Sequence, residues 1–329
     1  MFHIWRTGRD VDGKRLCSWK CYAGNAPVIW KCYADNTPFS WNSLPGGSYL
    51  QAQVLIGIMR LSKYIETKRL TMMNALQNKK GFICDMDGVI YHGNHLLEGS
   101  IDFVNWLQKE KKEFLFLTNS SERSPKELMQ KLKRLGMDVD ESHFYTSALA
   151  TASFLQSQCP GGSAYVIGEP GLINALYDAG ISMNDVNPDY VIVGETRGYN
   201  FEKIEKAVHL VTKGARLIGT NPDLTGPTEK GIVPATRALM APIELATGKQ
   251  AYYIGKPNPV IMRHAVEKLE LHNQDIAIIG DRMDTDIIAG IESGIDTVLV
   301  FSGVTTHQGI EQFPYRPNYV FDGVGDIIK

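Results

Sequence analysis

The chain has 329 residues, 43% of them apolar and 21% charged, with a net charge of −2. That length suits about two domains of roughly 100–200 residues each, and the composition is that of an ordinary globular protein. The near-zero charge excludes a nucleic-acid signature for the chain as a whole, and no apolar run reaches the roughly 20 residues a membrane span needs.

The averages hide a break near residue 72. Residues 1–72 carry ten Lys/Arg against four Asp/Glu, and the remainder 24 against 32. Trp5, Trp19, Trp30 and Trp41 also fall in this segment. A short repeat opens at Trp19 ("WKCYAGNAP") and again at Trp30 ("WKCYADNTP"). Two copies are fewer than the about three units a solenoid needs to bury a core. Cys17, Cys21 and Cys32 lack a fourth ligand at zinc-site spacing, and a disulfide framework is not expected in a large cytosolic chain. No start combines basic residues, an apolar core and a small-residue cleavage site, so the expected location is cytoplasmic. The segment fits an accessory module for an acidic surface, a disordered tail, or upstream sequence ahead of a start at Met72 or Met73. The composition shift favours the last. Residues 49–65 could form a short helix. No function is assigned to residues 1–72.

From residue 80 the pattern becomes α/β. "GFICDMD" reads as a buried strand. "SIDFVNWLQKEKK" has helical spacing at Ile101, Val104 and Leu107, and "EFLFLTN" is a second buried strand. "SPKELMQKLKRLGM" is a punctuated helix: Ser124 caps it, Pro125 suits the first turn, Glu127 completes a capping box and Gly136 ends it. "DIAIIGD" and "DTVLVFSG" are further strands, separated by the helix "DTDIIAGIESG". Strands alternating with helices predict a Rossmann-like parallel sheet covered on both faces. The middle of the chain reads as an inserted α/β unit of its own. The expected division is 73–157 for the first part of the core, 158–250 for the insertion and 251–329 for the second part of the core.

Ligands of open α/β sheets bind beyond the carboxyl ends of the strands. Three strands here end in reactive residues: Asp85 and Asp87, Thr118 and Asn119, and Asp281. A strand's period of two puts Asp85 and Asp87 on one side, and Gly88 lets the chain turn away. Carboxylates gathered there would repel without a cation, and Mg²⁺ is the hard ion suited to oxygen ligands and substrate phosphate. The reading is then an aspartyl nucleophile, Asp85, attacking phosphorus. Asp87 would serve as acid and then base, with its main-chain carbonyl on the metal. Thr118 and Asn119 would hold phosphoryl oxygens, and Lys256 would neutralise charge. Each feature has a plainer reading. The two aspartates could be a loop pair, Thr118-Asn119 a strand end, Lys256 a solvated lysine, Asp284 a helix cap and Asp286 an exposed first-turn acid. His92 and His95 read as loop residues.

The ordered set "DMDGVIY", "LTN", "GKP" and "GDRMDTD" resembles the haloacid dehalogenase superfamily over nearly all of residues 80–329 and none of 1–72. The insertion is similar to the large α/β cap of subclass IIA. "FYTSALATASFL", "VNPDYVIVGETRGYNFEKI" and "ARLIGTNPD" resemble the NagD-type nucleotide phosphatases. The resemblance implies Asp85 as nucleophile, Asp87 as acid/base, Thr118, Asn119 and Lys256 on phosphate, and Asp85, Asp87 and Asp281 on Mg²⁺, with Asp286 behind them. It also implies a cap loop, with Asn221 and Asp223, that touches substrate. The loop 224–234 looks longer than that subfamily's. The implied activity is hydrolysis of small phosphorylated metabolites, nucleoside monophosphates first. A sugar-phosphate phosphatase, a phosphotransferase or a catalytically silent binding protein are the alternatives. No nucleic-acid or membrane partner is expected, and a homo-oligomer is left open.

Overall fold

The computed structural model describes residues 2–9, 15–23, 26–33, 71–228 and 231–329. They fall into two units, divided between Glu66 and Thr67. In the first, β1 (Phe2–Arg9), β2 (Arg15–Ala23) and β3 (Ala26–Tyr33) pair antiparallel in chain order. Trp19 and Trp30, which open the two copies of the repeat, are register partners across β2 and β3. This stretch therefore carries sheet structure where sequence reasoning attached no fold. The helix expected within 49–65 lies outside the described residues.

The second unit starts with a helical stretch at 71–77, whose Leu76 is fully buried. The chain continues through β4 (Gly81–Cys84), a small hairpin of β5 (Tyr91–His92) and β6 (His95–Leu96), and α1 (Ser100–Lys109). Next come β7 (Glu113–Thr118), α2 (Pro125–Arg134), β8 (Phe144–Thr146) and α3 (Ser147–Gln158). The inserted part holds β9 (Ser163–Ile167), α4 (Pro170–Asp178), β10 (Ser182–Met183), β11 (Tyr190–Val193) and α5 (Phe201–Thr212). It goes on with β12 (Arg216–Gly219), a hairpin of β13 (Thr225–Thr228) and β14 (Gly231–Pro234), α6 (Thr236–Thr247) and β15 (Tyr252–Tyr253). The chain then returns through α7 (Pro259–Leu269), β16 (Ile276–Gly280), α8 (Ile288–Ser293), β17 (Asp296–Val300) and β18 (Tyr319–Phe321).

Two parallel sheets result. The core sheet runs β18-β17-β16-β4-β7-β8, and the cap sheet β10-β9-β11-β12-β15. The central core strands are apolar on both faces: Phe82, Ile83 and Cys84, Phe116 and Leu117, and Ile276 to Ile279 are essentially without solvent contact. A sheet covered by helices on both sides requires this. β16, β4 and β7 are neighbours, so the three reactive strand ends meet at one edge. The cap sheet extends to Tyr253, past the expected boundary at 250, because β15 pairs with β12.

Local signals carried most of this. Ser124 accepts from Glu127 N–H while Glu127 accepts from Ser124 N–H, the capping box expected for α2. Its end is marked by Gly136 at φ +95°. In α1 the buried stripe is Phe103, Val104 and Leu107, and Ile101 is 41% exposed. Phe103 packs edge-on against Phe82, and a residue two positions away lies on the opposite side of the helix.

Candidate active site

Asp85 directly follows β4, and its N–H donates to Ile279 O at 2.8 Å, which extends the ladder to β16. Gly88, at φ +81°, turns the chain away four residues after β4 ends. A Cβ at this position would lie 2.6 Å from Asp281 Oδ2, so the turn must be glycine for Asp281 to approach. Lys256, 2% exposed, donates from Nζ to Asp85 Oδ1 (2.7 Å), Asp286 Oδ1 (2.6 Å) and Leu117 O (3.0 Å). The solvated-lysine reading therefore fails: a buried ammonium is tolerated here because two carboxylates and a carbonyl meet it. Burial would lower the Lys256 pKa, but Asp286 and Asp85 more than offset it and hold the ammonium above its ordinary value. Burial lifts Asp85 to about 7 against the pull of Lys256.

Asp281 follows β16 and is buried. Its Oδ2 accepts from Val304 N–H at 2.6 Å, while its Oδ1 is buried with no hydrogen-bond partner among the described residues. Burial, then the neighbouring Asp85, raises its pKa well above the ordinary value. Asp85, Asp281 and Asp286 bring carboxylate oxygens within 4.8 Å of one another. Asp286 is fully buried, which overturns its reading as an exposed first-turn acid. A single π turn, Met283–Ile287, leads into α8 and places it beneath the site. Its oxygens are committed: Oδ1 to Lys256, Oδ2 to Arg282 N–H and the Thr285 hydroxyl. Asp284 is no helix cap; it pairs with the Arg282 guanidinium.

Asp87 stands apart from this cluster. Its Oδ1 is buried without a hydrogen bond among the described residues, with His92 Nδ1 3.4 Å away. Burial raises its pKa against the nearby His92 and Lys131 charges. His92, expected to be a plain loop residue, is thus beside the second aspartate. Its nearness to the aspartates is visible in the sequence, and the fold adds the contact, because Tyr91 bridges back to Asp87.

Thr118 ends β7 and Asn119 follows it; both are nearly buried. The Thr118 hydroxyl accepts from Ser120 N–H at 3.1 Å and keeps its own proton to donate. The Asn119 side chain is committed to the protein. Oδ1 accepts from Lys256 N–H (2.7 Å), and Nδ2 donates to Lys256 O (3.0 Å) and Asp223 Oδ2 (3.0 Å). Asp223 comes from the cap and also lies 3.9 Å from Arg282. Asn221, expected to touch substrate, is instead fully buried and tied by Nδ2 to Asn119 O and Glu195 Oε1. Sequence reasoning missed Glu195 and Ser121. The available signal was a carboxylate closing an apolar strand in "DYVIVGE", the same signal that marks Asp85.

The donor set fits a hard divalent cation. It is all oxygen, two members are short of partners for their charge, and one buried carboxylate oxygen has none. The arrangement also presents a lysine-paired carboxylate beside hydroxyl and amide donors, as transfer of an anionic group requires.

A haloacid dehalogenase-like hydrolase model matches residues 82–182, and a second HAD-hydrolase-like model matches 253–327. The chain is 46% identical over 246 residues to the dihydroxyacetone phosphatase of Corynebacterium glutamicum (strain R), covering 75% of this chain and 90% of the relative. It is 44% identical over 248 residues to the ribonucleotide monophosphatase NagD of Escherichia coli K12, covering 75% and 98%. The solved structure of that NagD superposes with a TM-score of 0.72, covering 76% of this chain and 98% of that one. An acid sugar phosphatase of Staphylococcus saprophyticus is 38% identical over 255 residues, covering 77% and 98%.

Proposed function

Because this chain belongs to the haloacid dehalogenase-like hydrolases, we propose that the site at the carboxyl edge of the core sheet is a Mg²⁺-dependent phosphomonoesterase centre. It acts on small phosphorylated metabolites. The observation that carries the reading is Asp85, held by Lys256 at 2.7 Å and standing beside an Asp281 oxygen that has no hydrogen-bond partner among the described residues.

Asp85 and Asp281, with the Asp87 main-chain carbonyl, would hold the Mg²⁺. When bound, the ion supplies positive charge against the substrate's phosphoryl oxygens. Lys256 fixes the Asp85 carboxylate and adds charge on the side of the transferring group. Asp85 attacks phosphorus, and the bond to the ester oxygen breaks. Asp87 gives its proton to the departing oxygen, and its raised pKa suits that task. The product of this half is an aspartyl-phosphate and a free alcohol. Asp87 then takes a proton from water, which attacks phosphorus and releases phosphate and Asp85. Thr118 donates to a phosphoryl oxygen throughout. Asp286 keeps Lys256 in place.

The relatives are named as a dihydroxyacetone phosphatase, a ribonucleotide monophosphatase and an acid sugar phosphatase, so the ester chemistry is shared and the alcohol differs. Asp223 reaches the core from the cap and is our candidate for reading the alcohol. The nucleoside monophosphates remain the first substrates to try, and the setting is taken as cytoplasmic. No helix among the described residues is long and apolar enough to cross a membrane.

The test is phosphate release from nucleoside monophosphates, sugar phosphates and dihydroxyacetone phosphate, with Mg²⁺ and with chelator. Release should require Mg²⁺. Asp85→Asn should lower turnover by on the order of 10⁴-fold while the circular dichroism spectrum is unchanged. Metal-independent release, or an active Asp85→Asn protein, would reject the reading.

A further inference from the structure

We propose that Glu195 of the cap is a positioning residue for phosphate binding, gripping the core loop that carries Thr118 and Asn119. The inference rests on the phosphatase reading above. Glu195 follows β11, and the chain there runs hard against the core. A Cβ on Gly194 would lie 2.7 Å from Ser121 Oγ.

Every polar contact of Glu195 serves that junction. Its Oε2 accepts from the Ser121 N–H at 2.9 Å and from the Ser121 hydroxyl at 3.4 Å. Its own N–H lies 3.2 Å from Ser121 Oγ, which also accepts from the Thr220 hydroxyl. Its Oε1 accepts from Asn221 Nδ2 at 3.1 Å, and the same nitrogen donates to Asn119 O at 2.8 Å. One carboxylate thus holds the loop at Ser121 directly and at Asn119 through Asn221. Asn119 is in turn locked to the Lys256 main chain by two hydrogen bonds. The path from Glu195 ends on the lysine that holds Asp85.

The location matters because an anion is gripped well only by donors fixed to within about 0.5 Å. Thr118 is the last residue of β7, paired with Thr146, and the turn from Asn119 to the start of α2 has no ladder of its own. Cap residues supply the bracing, so phosphate affinity depends on the cap even though no cap residue in this path faces the phosphoryl group. A hydrogen bond from a main-chain N–H can be accepted by either form of the Glu195 carboxyl group.

The experiment measures inorganic phosphate as a competitive inhibitor of the Mg²⁺-loaded full chain, together with KM and kcat for several esters. Glu195→Ala should weaken phosphate inhibition and raise KM roughly tenfold. The loss should be the same for every alcohol, since the phosphoryl end is common to all. Glu195→Gln keeps an acceptor for Ser121 N–H and should recover most of the affinity. Glu195→Asp keeps the charge but withdraws the oxygens by one methylene, and should show a loss in the same direction. It serves as the comparison if the alanine protein does not fold. Unchanged phosphate inhibition in the alanine and aspartate proteins would overturn the proposal. So would a loss that varies with the alcohol, or one confined to melting temperature and kcat. A wild-type chain that hydrolyses no ester would overturn the phosphatase reading and this inference together, whereas an active wild type with unaltered variants overturns the inference alone.

Discussion

The core sheet and the cap sheet are built alike, from parallel strands with apolar faces, and in each a carboxylate follows a central strand. After β4 it is Asp85, and just beyond β11 it is Glu195. Asp85 is met by the Lys256 ammonium and lies beside Asp281, whose Oδ1 has no partner. Glu195 is met by N–H donors from Ser121 and Asn221, and both its oxygens are in use. A carboxylate at a strand's end is therefore not informative until its partners are counted. One paired with a cation, next to an oxygen with no partner among the described residues, is the kind we propose to bind metal and react. One saturated by uncharged donors holds two pieces of chain together.

The largest effect that would sharpen this contrast lies on the core side. Lys256→Met leaves Asp85 and Asp286 in a site where the ammonium was 2% exposed. Removing one partner of a buried pair costs about 3–5 kcal/mol. Denaturant unfolding should show a loss of that order in chelator, with turnover abolished. A Lys256→Met protein as stable as wild type would mean that the carboxylates are not held as described.

The next effect lies on the cap side and concerns pH. Burial, aided by Glu122 and Asp223, lifts Glu195 from 4.5 to about 7, against its hydrogen bonds from Ser121 and Asn221. The folded state then holds this proton more tightly than the unfolded chain. The stability this contributes is fully present below about 4.5 and is lost as pH rises through about 7. Glu195→Gln cannot titrate, so its stability should fall less than that of wild type over the same window. Parallel stability curves for the two proteins would refute the burial assigned to Glu195.

The smallest effect is a control. Ser124→Ala removes the cap of α2, worth about 1 kcal/mol. It should lower the melting temperature slightly and leave KM and phosphate inhibition unchanged. A shift in KM here would blur the distinction drawn for Glu195, because it would show that any loosening near this loop weakens phosphate binding.

Legibility in the sequence followed the range of the interactions. The capping box of α2 and the core strands rest on neighbours within a few residues, and both could be read directly. Asp85, Asp87 and Asp281 were singled out because they lie at the ends of apolar strands within one ordered set of motifs; a lone carboxylate in such a place, as Glu195 shows, does not identify a site. Lys256 was readable only as one member of an ordered set, since its burial depends on Asp286, thirty positions away along the chain. The burial of Asp286 depends on a π turn that no periodicity announces. Asn221 was read as part of a loop that touches substrate; its burial between Asn119 and Glu195 was not legible, because those partners come from distant stretches of the chain. Glu195 was passed over for the same reason.

The central claim is that Asp85 takes the phosphoryl group, and trapping that species tests it most directly. In Asp87→Asn the base for the second half-reaction is missing, so with an ester whose alcohol leaves without protonation, such as p-nitrophenyl phosphate, the phosphoenzyme should accumulate. Rapid acid quench during turnover, followed by peptide mass spectrometry, should find one phosphoryl group on the peptide containing Asp85. Label on another residue, or continued turnover with no label on any peptide, would contradict the account.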